Sequence, residues 1–332
     1  MNFVMAFQKG MELVGRHKRF VALAWLLNVV LVLVPFLLVM GAIRDSVGKS
    51  QVAETLTEGY SQDWYREFAV QAQGLAGSLD PTVSGPGALL NSLDDLLRGA
   101  LFSQPLAILG LGVAYLSIWI FLSAGFVTSF QSGSSGDFGD FAAGAGRYLG
   151  RFFRLGVIGL VLFYLAYQGA EKLDWIFGEM TRQVVDERIA FLAALVKYLI
   201  FLAILFTIRI WMDYTKVVLV AEQRRSAFLA VVRALRFVWG NRGPVLLLGG
   251  SILSLFAVMS LIYAIAAPGA GSGAIGMLVW GALLAQFLIV GRIVIRVLSL
   301  ASQWELYGML AGSSAPETVP SMGTGLQNEA VP

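Results

Sequence analysis

The chain has 332 residues, of which 57% are apolar, only 14% are charged and none is cysteine, and its net charge is +3. Soluble globular proteins are usually about 45–50% apolar and about 25% charged, so this composition excludes a water-soluble enzyme. The lack of cysteine excludes disulfides and thiolate metal sites, and the nearly balanced charge argues against a nucleic-acid partner.

Six apolar stretches approach or exceed the length of about 20 residues that a helix needs to cross the hydrocarbon of a membrane. They are 20–43, 100–130, 152–168, 189–212, 244–267 and 274–298. Strands of a membrane barrel alternate with period 2, and runs such as LLNVVLVLVPFLLVM do not. The sequence therefore predicts an all-α polytopic membrane protein whose six-helix bundle occupies residues 20–310.

Basic residues are divided unequally between the two sides of these spans. If the N-terminus is cytoplasmic, the cytoplasmic segments carry more than twice as many Lys and Arg residues as the external segments. Because Lys and Arg are retained on the cytoplasmic side, both termini are expected in the cytoplasm.

The segment before the first span, residues 1–19, is amphipathic. Its apolar face carries Phe3, Phe7, Met11 and Val14, and its basic residues cluster late. This pattern predicts a helix lying in the membrane interface, and plain positive-inside signalling is an equally simple interpretation.

Two further segments lie outside the spans. Apolar spacing in residues 44–99 predicts a small helical extracytoplasmic cap, which serves either as a structural lid or as a ligand site. Residues 311–332 are small, polar and Pro-containing, so we expect a disordered cytoplasmic tail.

Two basic segments predict amphipathic elbow helices on the cytoplasmic face. The first is 137–155, and the second follows Arg225, with Ser226 as its N-cap and Gly240 near its end. The second elbow carries a predicted apolar stripe of Phe228, Val231, Leu235 and Val238. The candidate contacts to anionic headgroups or to a partner protein are Arg147, Arg151, Arg154, Arg224 and Arg225. Ordinary interfacial anchoring is the simpler alternative.

The apolar runs contain no Asp or Glu, which argues against ion-coupled transport. Lys197 lies inside the fourth span and is a candidate intramembrane polar site. It is expected to extend outward or to pair with Glu171 or Asp174.

A second set of charged residues lies at the inner membrane boundary. Helical spacing places Arg209, Asp213 and Lys216 on one face of the fourth helix, and Arg292 and Arg296 lie near the end of the sixth. We expect a network between Asp213 and arginines that ties helix four to helix six. A headgroup or phosphate pocket formed by the surplus arginines is the alternative.

No catalytic, cofactor-binding or metal site is predicted. The single histidine, His17, cannot form a zinc site by itself, and no carboxylate pair or Ser–Lys arrangement stands out in the spans. We therefore expect no enzymatic activity and no cofactor.

Two segments, FAAGAGRYLGRFFRL (141–155) and DYTKVVLVAEQRRSAFLAVVRALRFVWGN (213–241), resemble an uncharacterised family of six-span bacterial inner-membrane proteins. The pattern V-x-L-V-x-E followed by A-x-x-x-A-x-R-F is more distantly similar to the membrane domain of glycerophosphodiester phosphodiesterases. The resemblance covers about 130–300 and implies a compact six-helix domain in a bacterial inner membrane. It implies no activity, because the paired His and acidic residues of the phosphodiesterase chemistry are absent from the sequence.

Together these features predict a non-enzymatic accessory or scaffold protein that docks a partner or an anionic lipid at its cytoplasmic face. The alternative is a transporter or lipid-handling protein with a pocket among helices 4–6. The expected partners are membrane lipids, with a partner protein or a second copy of the chain as further possibilities.

Overall fold

The computed structural model describes residues 2–50, 61–79, 85–100, 106–133, 137–182, 186–268 and 275–312. Within these ranges the chain forms ten α-helices and no strand. They are α1 (Asn2–Arg16), α2 (Lys18–Val47), α3 (Gln62–Gln71), α4 (Gly85–Arg98), α5 (Leu106–Ser132), α6 (Phe138–Thr181), α7 (Glu187–Ala221), α8 (Ala227–Gly240), α9 (Arg242–Ala266) and α10 (Ile275–Gly312). Six of them (α2, α5, α6, α7, α9 and α10) are long and apolar enough to cross a membrane. The predicted all-α, six-span architecture is confirmed.

The first elbow and the third span form one helix. α6 runs without interruption through 44 residues, and its start is fixed by Asp137, whose carboxylate accepts a hydrogen bond from the backbone N–H of Phe138. The elbow predicted at 137–155 and the span predicted at 152–168, which overlap in sequence, are therefore parts of one continuous helix. No proline lies within α6 to interrupt its hydrogen bonds.

The buried core is concentrated at one end of the helical bundle. We call this the basic end; it consists of α1, α8, the last parts of α5, α7 and α10, and the first part of α6. Val217–Val220 of α7 are fully buried there. By contrast, the most apolar 18-residue window of α2 contains no buried residue, and that of α7 is only 11% buried. Such exposed apolar surface is what lipid-facing helices present.

α1 packs along α10 at the basic end. Ala6 and Gly10 are buried, and a Cβ atom at Gly10 would lie 2.9 Å from the backbone nitrogen of Ser302. Phe3, Phe7 and Val14 pack against the core, whereas Met11 is 48% exposed. The apolar face predicted for the membrane interface is therefore largely covered by protein.

His17 is the single residue between α1 and α2, and it is buried. Its Nδ1 lies 2.8 Å from the carbonyl oxygen of Leu13, and its ring meets the ring of Phe130 edge-on at 5.4 Å. The buried ring therefore links the junction of the two helices to Phe130.

Short helices lie against the opposite end of the bundle. Trp64 and Phe68 of α3 pack on Ile43 and Val47 of α2. α4 is tied to α6 by the hydroxyl of Tyr167, which donates a 2.6 Å hydrogen bond to the carbonyl oxygen of Leu96. The predicted cap is helical where it is described. Residues 51–60 and 80–84 of that cap and residues 313–332 of the predicted tail lie outside the described residues.

Candidate anion-binding site

The turn between α7 and α8 is closed by a hydrogen-bonded helix end. Gln223 adopts a left-handed φ of 48°, and its N–H donates to Val220 O at 3.1 Å. The N–H of Arg224 donates to Leu219 O, also at 3.1 Å. This is the Schellman pattern. Ser226 then begins α8, with its hydroxyl oxygen accepting from the N–H of Leu229.

Glu222 is the centre of a polar network behind this turn. Its Oε1 accepts a 2.6 Å hydrogen bond from the phenol of Tyr307 in α10 and a 3.3 Å bond from Nε of Arg233 in α8. Its Oε2 accepts a 2.5 Å bond from Nε of Arg224. The carboxylate therefore joins the end of α7 to both α8 and α10.

The charge on Glu222 is stabilised by these partners. Burial alone raises the pKa of this carboxyl, but hydrogen bonds from Tyr307, Arg224 and Arg233 outweigh burial and hold the pKa below its ordinary value. The glutamate is therefore ionised at neutral pH and offsets part of the arginine charge around the turn.

A groove of about 650 Å³ lies between α6 and the start of α8. Its polar lining consists of Arg154, Arg225 and Ser226. Its apolar lining consists of Phe153, Val157, Ile158, Ala227 and Phe228. The groove therefore combines two guanidinium groups with an apolar wall.

Neither arginine of the groove is neutralised by the protein. The ion pairs in the described part of the chain include Arg224 and Arg233, both with Glu222, but neither Arg154 nor Arg225. Both unpaired side chains are exposed. Guanidinium groups with free N–H donors suit carboxylate or phosphate oxygens, so the groove is the candidate anion site.

The other candidates of the first elbow are placed differently. The guanidinium carbons of Arg147 and Arg151 lie 5.9 and 5.0 Å from the centre of the Tyr148 ring. Both are cation–π distances. Of the three predicted elbow arginines, only Arg154 lines the groove.

The predicted apolar stripe of α8 faces two different neighbours. Val231 and Val238 are buried against the protein core, whereas Phe228 and Leu235 are exposed together with Trp239. The four residues lie on one broad side of the helix, as predicted, but that side is divided between an inward face against the core and an outward face. The outward face suits contact with lipid next to the groove.

A second groove of about 690 Å³ adjoins the first and is lined mainly by apolar side chains of α2, α5 and α6. Phe153 lines both grooves.

Asp213 forms its direct ion pair within α7. The carboxylate of Asp213 pairs with Lys216 of the same helix at 2.6 Å. Arg209 and Arg296 act on Asp213 through their charge only. The expected network between Asp213 and arginines that ties helix four to helix six has Lys216 as its direct ion-pair partner, and Arg296 of α10 takes part through its charge.

Arg296 contacts α5 instead. Its guanidinium lies 4.0 Å from the centre of the Trp119 ring, and its Nη1 donates to the hydroxyl oxygen of Tyr115 at 3.4 Å. Arg209 and Arg292 are exposed, and neither lines either groove. A phosphate pocket built from these arginines therefore gains no support.

Lys197 has a partner on the neighbouring helix. Its Nζ lies 2.5 Å from Oδ1 of Asp174 in α6 and 4.3 Å from the centre of the Tyr198 ring. The predicted pairing with Asp174 is confirmed, which makes this cation part of an α6–α7 contact. No group of three or more potential metal-binding side chains occurs among the described residues.

Sequence reasoning missed Glu222, Arg233 and Tyr307 as members of the site. Glu222 is the acidic position of the V-x-L-V-x-E pattern, which was the available signal. Its partner Tyr307 lies 85 residues further along the chain, and no local pattern connects the two. Comparison with protein-family models, curated proteins and solved structures finds no match to this chain.

Proposed function

We propose that this chain is a non-enzymatic accessory protein of a bacterial inner membrane that holds an anionic lipid at its cytoplasmic face. The headgroup phosphate lies between Arg154 and Arg225, and the acyl part runs along the apolar wall of the groove. The observation that carries the proposal is the meeting of two unpaired arginines in one groove. The resemblance at 130–300 supports the membrane assignment and adds no activity.

Charge distribution supports the orientation. The basic end contains the elbows and the basic N-terminal segment, and positively charged ends of membrane proteins are retained in the cytoplasm. The cytoplasmic leaflet is also rich in anionic lipid, so a basic groove on that side faces abundant ligand.

The apolar lining favours a lipid over free phosphate. Phe153, Val157, Ile158 and Phe228 offer a surface that a free phosphate ion cannot cover, whereas an acyl chain removes such surface from water. The exposed Trp239 on the outward face of α8 is typical of a headgroup-level aromatic, which supports a position of the groove near the depth of lipid phosphates.

Transport is less well supported than an accessory role. Lys197 pairs with Asp174 of α6, and Lys216 pairs with Asp213 in its own helix, so the positive charge of each lysine is already matched by a carboxylate. The two grooves lie beside α6 rather than among α7, α9 and α10, where a transport pocket is expected.

Native mass spectrometry of the protein extracted gently with its own lipids tests the proposal. The wild type should retain an anionic lipid, and the double variant Arg154→Gln/Arg225→Gln should lose it. The matched control is Lys172→Gln/Arg188→Gln, which removes the same charge from exposed residues at the opposite end and should retain the lipid.

Two further outcomes identify the ligand. Excess glycerol phosphate should leave the retained lipid in place, and displacement by it would point to a phosphate site without lipid specificity. A co-purifying protein in the absence of any retained lipid would contradict lipid binding and favour a docking scaffold.

A further inference from the structure

We propose that Glu222 sets the headgroup charge that the groove accepts, and thereby selects lipids with a single phosphate over lipids with two. The inference rests on the proposed function, because it describes the ligand preference of the same groove. Glu222 does not line the groove, so it acts as a positioning residue rather than as a contact to lipid.

The turn region carries three arginines, and Glu222 engages two of them. Oε2 binds Arg224 and Oε1 binds Arg233, while Oε1 also accepts the phenol of Tyr307. Both carboxylate oxygens are thus occupied, and the side chain is only 23% exposed. Arg225 is the arginine of this turn that stays without an acidic partner in the described chain.

The same network fixes where Arg225 points. Arg224 and Arg225 are adjacent, and the Schellman turn before them together with the Ser226 cap after them leaves little backbone freedom. With Arg224 held toward Glu222, Arg225 is directed into the groove beside Arg154. Glu222 therefore controls both the number and the direction of the free cations.

Two free guanidinium groups match one phosphate. A phosphodiester carries one negative charge, and two guanidinium groups can donate to its two non-bridging oxygens. A lipid with two phosphates brings a second anion that finds Arg224 and Arg233 already engaged by Glu222. Without the carboxylate charge, both arginines become available, and the preference should move toward the two-phosphate lipid.

Competition between two lipids measures this preference. Wild-type protein in mild detergent is offered phosphatidylglycerol and cardiolipin at equal phosphate concentration, and the bound ratio is read by native mass spectrometry. Glu222→Gln should shift the bound ratio toward cardiolipin by about threefold or more. The matched control Glu12→Gln removes a carboxylate from an exposed residue outside this network and should leave the ratio unchanged.

A purely structural role predicts a different result. Loss of a structural contact lowers the binding of both lipids together and leaves their ratio at the wild-type value. An unchanged ratio in Glu222→Gln with lipid still bound would therefore overturn the inference.

A second variant tests the charge argument if Glu222→Gln does not fold. Arg233 is exposed at the surface of α8, so Arg233→Gln should be tolerated. It leaves part of the Glu222 charge unbalanced near the groove, and retention of both anionic lipids should fall by about twofold or more. Retention equal to that of the wild type would contradict the role of Glu222.

Failure of the inference can be told apart from failure of the proposed function. If the wild type retains no anionic lipid, or if Arg154→Gln/Arg225→Gln retains as much as the wild type, the groove is not the lipid site and both proposals fail. If that double variant loses lipid while Glu222→Gln keeps the wild-type ratio, only the selecting role of Glu222 fails.

Discussion

The phenol of Tyr307 donates a 2.6 Å hydrogen bond to Oε1 of Glu222, and the two residues belong to the last part of α10 and to the end of α7. Removing the bond in Tyr307→Phe should lower the free energy of unfolding by about 1.5–3 kcal/mol, the usual range for a hydrogen bond to a charged group. The ring itself packs on Phe237 at 4.8 Å, and phenylalanine preserves that contact.

A double-mutant cycle isolates the bond from other effects. Thermal unfolding in detergent is compared for Tyr307→Phe, Glu222→Gln and the combined variant. The effects of the two single changes should not add, because Tyr307→Phe removes the donor of this bond and Glu222→Gln removes the charge that strengthens it. Additive losses would show that the two side chains contribute independently.

Acid should weaken the fold through Glu222. Because its folded-state pKa lies below the ordinary value of 4.5, its stabilising contribution is complete above about pH 4.5 and is lost as the pH falls through the lowered pKa. Glu222→Gln should be less stable than the wild type at neutral pH, and the difference should shrink on acidification. Thermal midpoints between pH 7 and pH 3 measure this. The control is Glu12→Gln, which changes an exposed residue and should keep the wild-type pH dependence.

Gln223 adopts a backbone conformation that favours glycine. Left-handed φ costs an L-residue about 1–2 kcal/mol, so Gln223→Gly should be at least as stable as the wild type, with a gain of up to about 1 kcal/mol. Gln223→Val places a β-branched side chain at the same φ and should be clearly destabilising. Equal unfolding midpoints for the two variants would argue against a constrained turn.

The contact between α1 and α10 depends on the absence of a side chain at Gly10. A Cβ there would approach the backbone of Ser302 to 2.9 Å, so Gly10→Ala should destabilise the protein by about 1–3 kcal/mol through overpacking. Gly15→Ala in the same helix is the matched control, since its Cβ would meet nothing within 4 Å. Similar unfolding midpoints for both variants would indicate that α1 is not held against α10.

The six spans were predictable because their length and apolarity are local properties of the sequence. The neighbour that each side chain faces was harder to predict. Phe228, Val231, Leu235 and Val238 do share one broad side of α8, but two of them meet protein and two face outward. A helical period identifies a side of a helix and does not identify its neighbour.

The partners of charged side chains were likewise predictable in some cases and not in others. Lys197 pairs with one of its two predicted partners, Asp174, because only two acids lay near its depth. Asp213 had several cations within reach, and spacing alone did not show that Lys216 would take it. The pairing of Glu222 with Tyr307 depends on how α7 and α10 pack, which only the folded chain defines.

The uninterrupted course of α6 links events at its two ends. At 1.5 Å per residue its 44 residues extend about 66 Å, roughly twice the thickness of the hydrocarbon layer. Arg154, which lines the groove, and Tyr167, which bonds Leu96 of α4, both belong to this one helix. A membrane that becomes thinner tilts long helices further, and a tilt of α6 moves Arg154 and Tyr167 together. We therefore expect the geometry of the groove to respond to bilayer thickness and to the position of α4 at the other end of α6.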